Sequence, residues 1–122
     1  MTGSQSKGKH FEDLARAYLS ARGLVYIDSN YSCRFGEIDL IMQQQDCICF
    51  VEVKYRKTMA FGGAIYALPQ SKQKKIIKAA MFYLNQHKQL ANRALRFDVV
   101  FIQGQPHRNE EINWIENAFY AD

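Results

Sequence analysis

Arg34-Phe35-Gly36-Glu37-Ile38-Asp39-Leu40-Ile41, followed by Cys49-Phe50-Val51-Glu52-Val53-Lys54, is the stretch around which the chain is organised. Two apolar, β-prone runs flank a polar turn, Gln43-Gln44-Gln45-Asp46, short enough for a hairpin. Acids and a lysine stand inside runs where packing alone would favour Val or Thr. Such groups destabilise a sheet interior unless they are paired or bound to a metal. Alternate strand residues share a face, so Glu37 projects with Asp39, and Glu52 with Lys54. A loop centred on Gln44-Gln45 sets position 39 opposite 50 and position 37 opposite 52. All four charged side chains then lie on one face of two adjacent strands.

Their chemistry is coherent. Gathered carboxylates repel one another, and a hard divalent cation such as Mg²⁺ or Mn²⁺ relieves the repulsion through oxygen ligands. Such an ion lowers the pKa of water and stabilises charge developing on a phosphate. A neighbouring lysine neutralises charge in the transition state. An acid followed by acid-x-lysine is thus suited to phosphodiester hydrolysis. The alternative is an edge hairpin whose solvent-facing charges guard against aggregation.

Upstream, Lys9 to about Arg22 reads as an amphipathic helix, with Phe11, Ala15, Tyr18 and Leu19 (and Leu14) as its apolar stripe. Glu12 falls at the edge of that stripe and is expected to face the sheet, whereas Asp13 points away. Residues 24–27 read as a short strand followed by a polar connection over 28–32. Downstream, residues 57–69 form a Gly- and aromatic-rich loop. Ser71 is the expected N-cap of a helix reaching about Leu90. Ile76, Ile77, Ala80, Tyr83 and Leu84 make its buried stripe, and Lys74, Lys75 and Lys78 face outward. Residues 96–103 read as a strand, 112–115 as a weaker one, and 116–120 as a tail or short helix. The order α-β-β-β-α-β-β, with a crossover through the long helix, predicts one α/β domain over residues 1–122. Its core is a four- to five-stranded mixed sheet flanked by helices.

The 122 residues carry a net charge of +4, and the distribution of that charge is more telling than its size. No acid occurs between Glu52 and Asp98, an interval that holds ten of the 16 basic residues. Arg56, Lys57, Lys72, Lys74, Lys75 and Lys78 lie there as candidate nucleic-acid contacts. The competing explanation is a solvated helix face that keeps the protein soluble. Cys33, Cys47 and Cys49 match no zinc spacing and read as reduced packing thiols. No apolar run approaches the roughly 18 residues of a membrane span. The first residues lack the apolar centre of a signal peptide, so the expected location is the cytoplasm. His10, His87 and His107 are scattered, with no nucleophile to serve, and no phosphate-binding Gly-rich loop is present.

Gly36-Glu37-Ile38-Asp39-Leu40-Ile41 and Phe50-Val51-Glu52-Val53-Lys54-Tyr55-Arg56 resemble the YraN-type family of uncharacterised bacterial proteins. The resemblance continues through Gly8, Glu12, Phe61-Gly62, Lys72, Ala79-Ala80, Tyr83-Leu84 and Arg96-Phe97-Asp98-Val99-Val100. That family looks like a branch of the restriction-endonuclease-like superfamily, similar to archaeal Holliday junction resolvases. The resemblance implies a restriction-endonuclease-like fold and a Mg- or Mn-dependent nuclease. It makes Asp39 and Glu52 metal ligands, Lys54 the catalytic lysine and Glu12 the helical acid assisting the metal. Glu37 becomes a supporting or DNA-facing residue. The expected substrate is DNA, branched or damaged. Symmetric cutting of a four-way junction would require two active sites, hence a homodimer. A nucleic-acid-binding module with the same fold but little catalysis, acting with a partner protein, is the alternative. A structural protein whose basic face meets an acidic partner is a third.

Overall fold

In the computed structural model, residues 3–56, 68–105 and 108–121 are described. Helix α1 spans Gly3–Ala21, strands β1, β2 and β3 span Val25–Cys33, Gly36–Gln44 and Cys47–Arg56, helix α2 spans Gln70–Gln86, and strands β4 and β5 span Ala94–Gln105 and Arg108–Phe119. A short 3₁₀ turn, Lys88–Leu90, follows α2. The five strands form one sheet in the order β1-β2-β3-β4-β5. Neighbours are antiparallel except β3 and β4, which pair in parallel and are joined by the α2 crossover.

The sheet lies between the two helices because its central strands are apolar on both faces. On one face Phe11, Ala15 and Leu19 of α1 pack against Leu40, Met42, Cys49, Val51, Val100 and Ile102. On the other, Ile76, Ala79, Ala80, Tyr83 and Leu84 of α2 cover Ile41, Ile48, Phe50, Phe97 and Val99. Helix α1 ends where Gly23 takes φ 97°. Leu24 N–H then bonds to Leu19 O and Gly23 N–H to Ser20 O, the paired closure that a left-handed residue permits.

Several boundaries depart from the sequence-based expectation. The polar residues 28–32 continue β1, which is tolerated because β1 is an edge strand and only half covered. Strand β5 runs on through residues 116–119 in place of a tail or helix, and Phe119 stacks on Phe97 with centroids 5.0 Å apart. Helix α2 stops at Gln86. Its N-cap is Pro69, with no side-chain cap bond, so Ser71 is an exposed first-turn residue. Ala79, not Ile77, completes the buried stripe. Cys33, Cys47 and Cys49 are free thiols.

Candidate active site

The hairpin register differs by two residues from the one expected. Leu40 pairs with Val51 and Gln44 with Cys47, so the turn is Gln45-Asp46, and Gln45 takes φ 54°. Continuing that register brings Asp39, not Glu37, level with Glu52. An even shift keeps every side chain on its face, so the grouping survives although the neighbour changes. Glu37 is exposed.

Beyond Leu40 and Val51 the two central strands part. Strand β2 stays paired with β1 as far as Gly36, and β3 stays paired with β4 as far as Arg56. The Val53 N–H, facing the opening, is taken by the Asp39 carboxylate at 2.8 Å from Oδ2. Strict alternation breaks at the same level. Ile38 and Ile41 both pack on the α2 side, while Leu40 packs on the α1 side. In the adjoining strand Asn30 adopts φ 53° between the pairs Ser29–Leu40 and Tyr31–Ile38. Asn30 suits that conformation because its short polar side chain tolerates the left-handed region. These breaks set Asp39 between the two faces of the sheet.

Glu52 is 6 % exposed and sits on the α2 side of β3. Burial and then repulsion from Asp39 push its carboxyl up to about 7, against the opposing pull of Lys72 and Lys54. A hydrogen bond between the two carboxyls raises Glu52 and lowers Asp39, so Glu52 is the one favoured to keep a proton and Asp39 the one to accept. Asp39 is itself raised by burial, although the Val53 N–H, Glu52 and Lys72 all pull it down. Two carboxyls that cannot both ionise freely are the result.

The cation nearest Glu52 comes from the helix, not the strand. Lys72 Nζ lies 3.4 Å from Glu52 Oε2. Sequence reasoning placed Lys72 among the nucleic-acid contacts and missed this pairing. Its position in the first turn of α2 gave no sign of this ion pair, which depends on how the helix docks. Lys54 lies two residues beyond Glu52, half-buried, and acts on it electrostatically.

Glu12 faces the sheet as expected, but from the α1 side. Burial raises its carboxyl, a hydrogen bond from Asn30 opposes the rise, and the charge of Asp39 adds to it. Asn30 is the second residue the sequence did not reveal. Glu12 also lines a cavity of about 420 Å³ with Lys9, Asp13, Arg16, Ser29 and Asn30 among its walls. Asp13 is exposed and pairs with Lys9 at 3.4 Å. Asp39 therefore interacts with Glu52 on one side and Glu12 on the other. Among the described residues no three His, Cys, Asp or Glu side chains converge as a metal cluster. The Asp39–Glu52 pair nevertheless fits a magnesium-type ion, which is commonly held by one or two carboxylates and keeps several waters.

Lys74, Lys75 and Lys78 are exposed on α2, and Arg56 is exposed at the end of β3. Lys57, Phe61 and Gly62 lie outside the described residues. Asp98, whose partner the sequence did not identify, is fully buried. It accepts hydrogen bonds from Arg96, from Trp114 Nε1 at 2.9 Å and from the Asn117 N–H at 3.1 Å. Trp114 thus ties β5 to β4. No helix among the described residues is long and apolar enough to cross a membrane.

A five-stranded mixed sheet between two helices, with acids where its central strands part, is an α/β architecture consistent with a nuclease-like fold. The chain belongs to the uncharacterised protein family UPF0102, whose family model matches residues 11–102. It is 46% identical to a UPF0102 protein of Stutzerimonas stutzeri strain A1501 over 98% of each chain. A UPF0102 protein of Aeromonas hydrophila is 48% identical over 93% of this chain and 85% of its own. One from Saccharophagus degradans is 48% identical over 92% and 91%.

Proposed function

We propose that this protein is a cytoplasmic, divalent-metal-dependent endonuclease that hydrolyses phosphodiester bonds in branched or damaged DNA. The observation carrying this reading is Glu52, buried beside a half-buried Asp39 at the parting of β2 and β3, with Lys72 3.4 Å from Glu52 and the charge of Lys54 acting on it. Asp39 and Glu52 would hold Mg²⁺ or Mn²⁺, with Glu12 supporting Asp39 from the opposite face. When bound, such an ion supplies Lewis-acid stabilisation of charge on a phosphoryl oxygen. Lys54, projecting from the same side of β3 as Glu52, offers an ammonium to the extra negative charge that builds at phosphorus. Lys72 holds Glu52 in place and is itself a second cation for the phosphate. In the overall hydrolysis the water oxygen forms the new P–O bond, one ester P–O bond breaks, and the departing oxygen ends as a hydroxyl. The exposed lysines of α2 position the polyanion. Symmetric cutting of a junction would pair two copies of the chain.

The test is to incubate the protein with linear duplex, single-stranded, flapped and four-way DNA, with and without Mn²⁺, beside Asp39→Ala. Products are expected only with the metal and only from the unaltered chain. Cleavage by Asp39→Ala at the unaltered rate would overturn the reading. A second reading, a binding module with little catalysis, draws support from the exposed Lys74, Lys75 and Lys78 of α2, which suit a polyanion without any turnover. It predicts salt-dependent DNA binding and no turnover with any of the four substrates.

A further inference from the structure

Helix α2 carries more on its outer side than the cations read from its sequence. Phe35, Ile77, Lys78, Met81, Phe82 and Asn85 line an apolar groove of about 410 Å³. The rings of Phe35 and Phe82 meet edge to face with centroids 5.6 Å apart. Met81 is 41% exposed on the groove wall. Open apolar surface of this kind among lysines marks a contact site more often than an accident of composition.

The charged groups around it are cations. The Arg34 guanidinium carbon lies 4.9 Å from the Phe35 centroid and 6.0 Å from that of Phe82. Lys78 lines the groove, and Lys74 stands one turn earlier on the same side of the helix. Lys75 packs against the backbone at Gly36, next to Phe35. Among the described residues no acid lines the groove.

These two properties select the occupant. A second copy meeting this face about a two-fold axis would set lysines and an arginine against their own kind. An apolar peptide would gain nothing from the cations. A nucleic-acid strand offers both an anionic backbone for the rim and a flat π-face for the rings. Within a duplex those faces are already stacked, so the groove suits an unpaired nucleotide. We propose that the groove lined by Phe35, Met81 and Phe82 binds an unpaired base of a single-stranded segment against its apolar wall, with Arg34, Lys74, Lys75 and Lys78 holding the flanking phosphates. This rests on the reading of the protein as a nucleic-acid enzyme and names the feature of the substrate it would recognise. Lys72, at the acidic pair, precedes Lys78 and Phe82 on α2 by roughly 9 and 15 Å at 1.5 Å per residue. A strand held by the groove would therefore place its phosphates within a few nucleotides of Asp39 and Glu52.

The test is metal-free fluorescence anisotropy with two probes of equal length and charge, an oligothymidylate and a fully abasic strand. The unaltered protein is expected to bind the oligothymidylate roughly 5- to 150-fold more tightly, the range for one stacked base. Phe82→Ala and Met81→Glu should each shrink that preference while the circular dichroism spectrum is unchanged. Met81→Glu changes an exposed side chain and so keeps the test valid if Phe82→Ala unfolds. Equal affinity for both probes would overturn the inference while leaving metal-dependent cleavage intact. Absence of binding to either probe or to duplex would overturn both the inference and the nucleic-acid reading beneath it. A dimer in sedimentation that Met81→Glu dissociates would assign the groove to a second copy instead.

Discussion

Glu52 holds its proton at a pH where an exposed glutamate has lost it. Its folded pKa of about 7 lies above the ordinary 4.5, so between those values the folded state binds a proton that the unfolded chain releases. Stability through this group is greatest below about pH 4.5 and declines as the pH rises towards 7. Urea unfolding of metal-free protein should show a loss on the order of 2–3 kcal/mol across that window. Glu52→Gln should flatten the slope and exceed the unaltered chain in stability at pH 8; an unchanged slope would place the burden elsewhere. Lys54 and Lys72 separate at the same scale. Lys54→Ala should lower turnover by about 10²–10³ with folding intact, whereas Lys72→Ala should also raise the Glu52 pKa further, read from the same pH profile. Asp98 is a structural acid by contrast, satisfied on both oxygens by Arg96, Trp114 and Asn117. Asp98→Ala leaves Arg96 without its buried counter-charge, and a destabilisation on the order of 3–5 kcal/mol is expected by denaturant titration.

Helices and central strands were legible as elements because their apolar periodicity is strong. Phe11, Ala15 and Leu19 marked α1, and Ile76, Ala80 and Leu84 marked α2. The edge strands were not. Residues 28–32 and 116–117 are mostly polar on strands that lack a partner along one flank, and polarity imitates a loop. The hairpin register turned on which residue accepts a left-handed backbone, and Gln45 gives no composition signal for it. Ser71 shows the limit of a cap read from residue type alone: Pro69 takes that position, so Ser71→Ala should change stability by less than about 0.5 kcal/mol. A true cap would lose about 1 kcal/mol in the same unfolding experiment. Gly104 makes the opposite case. It has φ 120°, and a Cβ there would stand 2.6 Å from Asn109 O in β5. Gly104→Ala should therefore loosen the β4–β5 pairing, seen as faster amide exchange in β5.

Across the whole molecule, the division of labour follows the two helices. Helix α1 brings Glu12 to one face of the sheet, and α2 brings Lys72 to the other, with Asp39 reaching both from the gap between β2 and β3. The sequence placed Asp39, Glu52 and Lys54 together because strand alternation and a short hairpin group them. It could not reveal that Glu12 approaches from the opposite face, nor that Asn30 and Lys72 join the cluster, since those relations depend on tertiary placement. The acid-free interval after Glu52 became an exposed cationic side of α2. Removing Lys74, Lys75 and Lys78 together should reduce the slope of log affinity against log salt for duplex DNA by roughly 2–3. The central claim, that Asp39 and Glu52 form one cation site, is tested most directly by calorimetric titration with Mn²⁺ near pH 6 in buffers of different ionisation enthalpy. The proton that Glu52 keeps below pH 7 must leave as the ion enters, so the unaltered chain should release close to one proton per ion. Asp39→Asn and Glu52→Gln should each weaken binding at least about tenfold. Mn²⁺ binding of undiminished strength in both variants, with no proton released, would contradict the account.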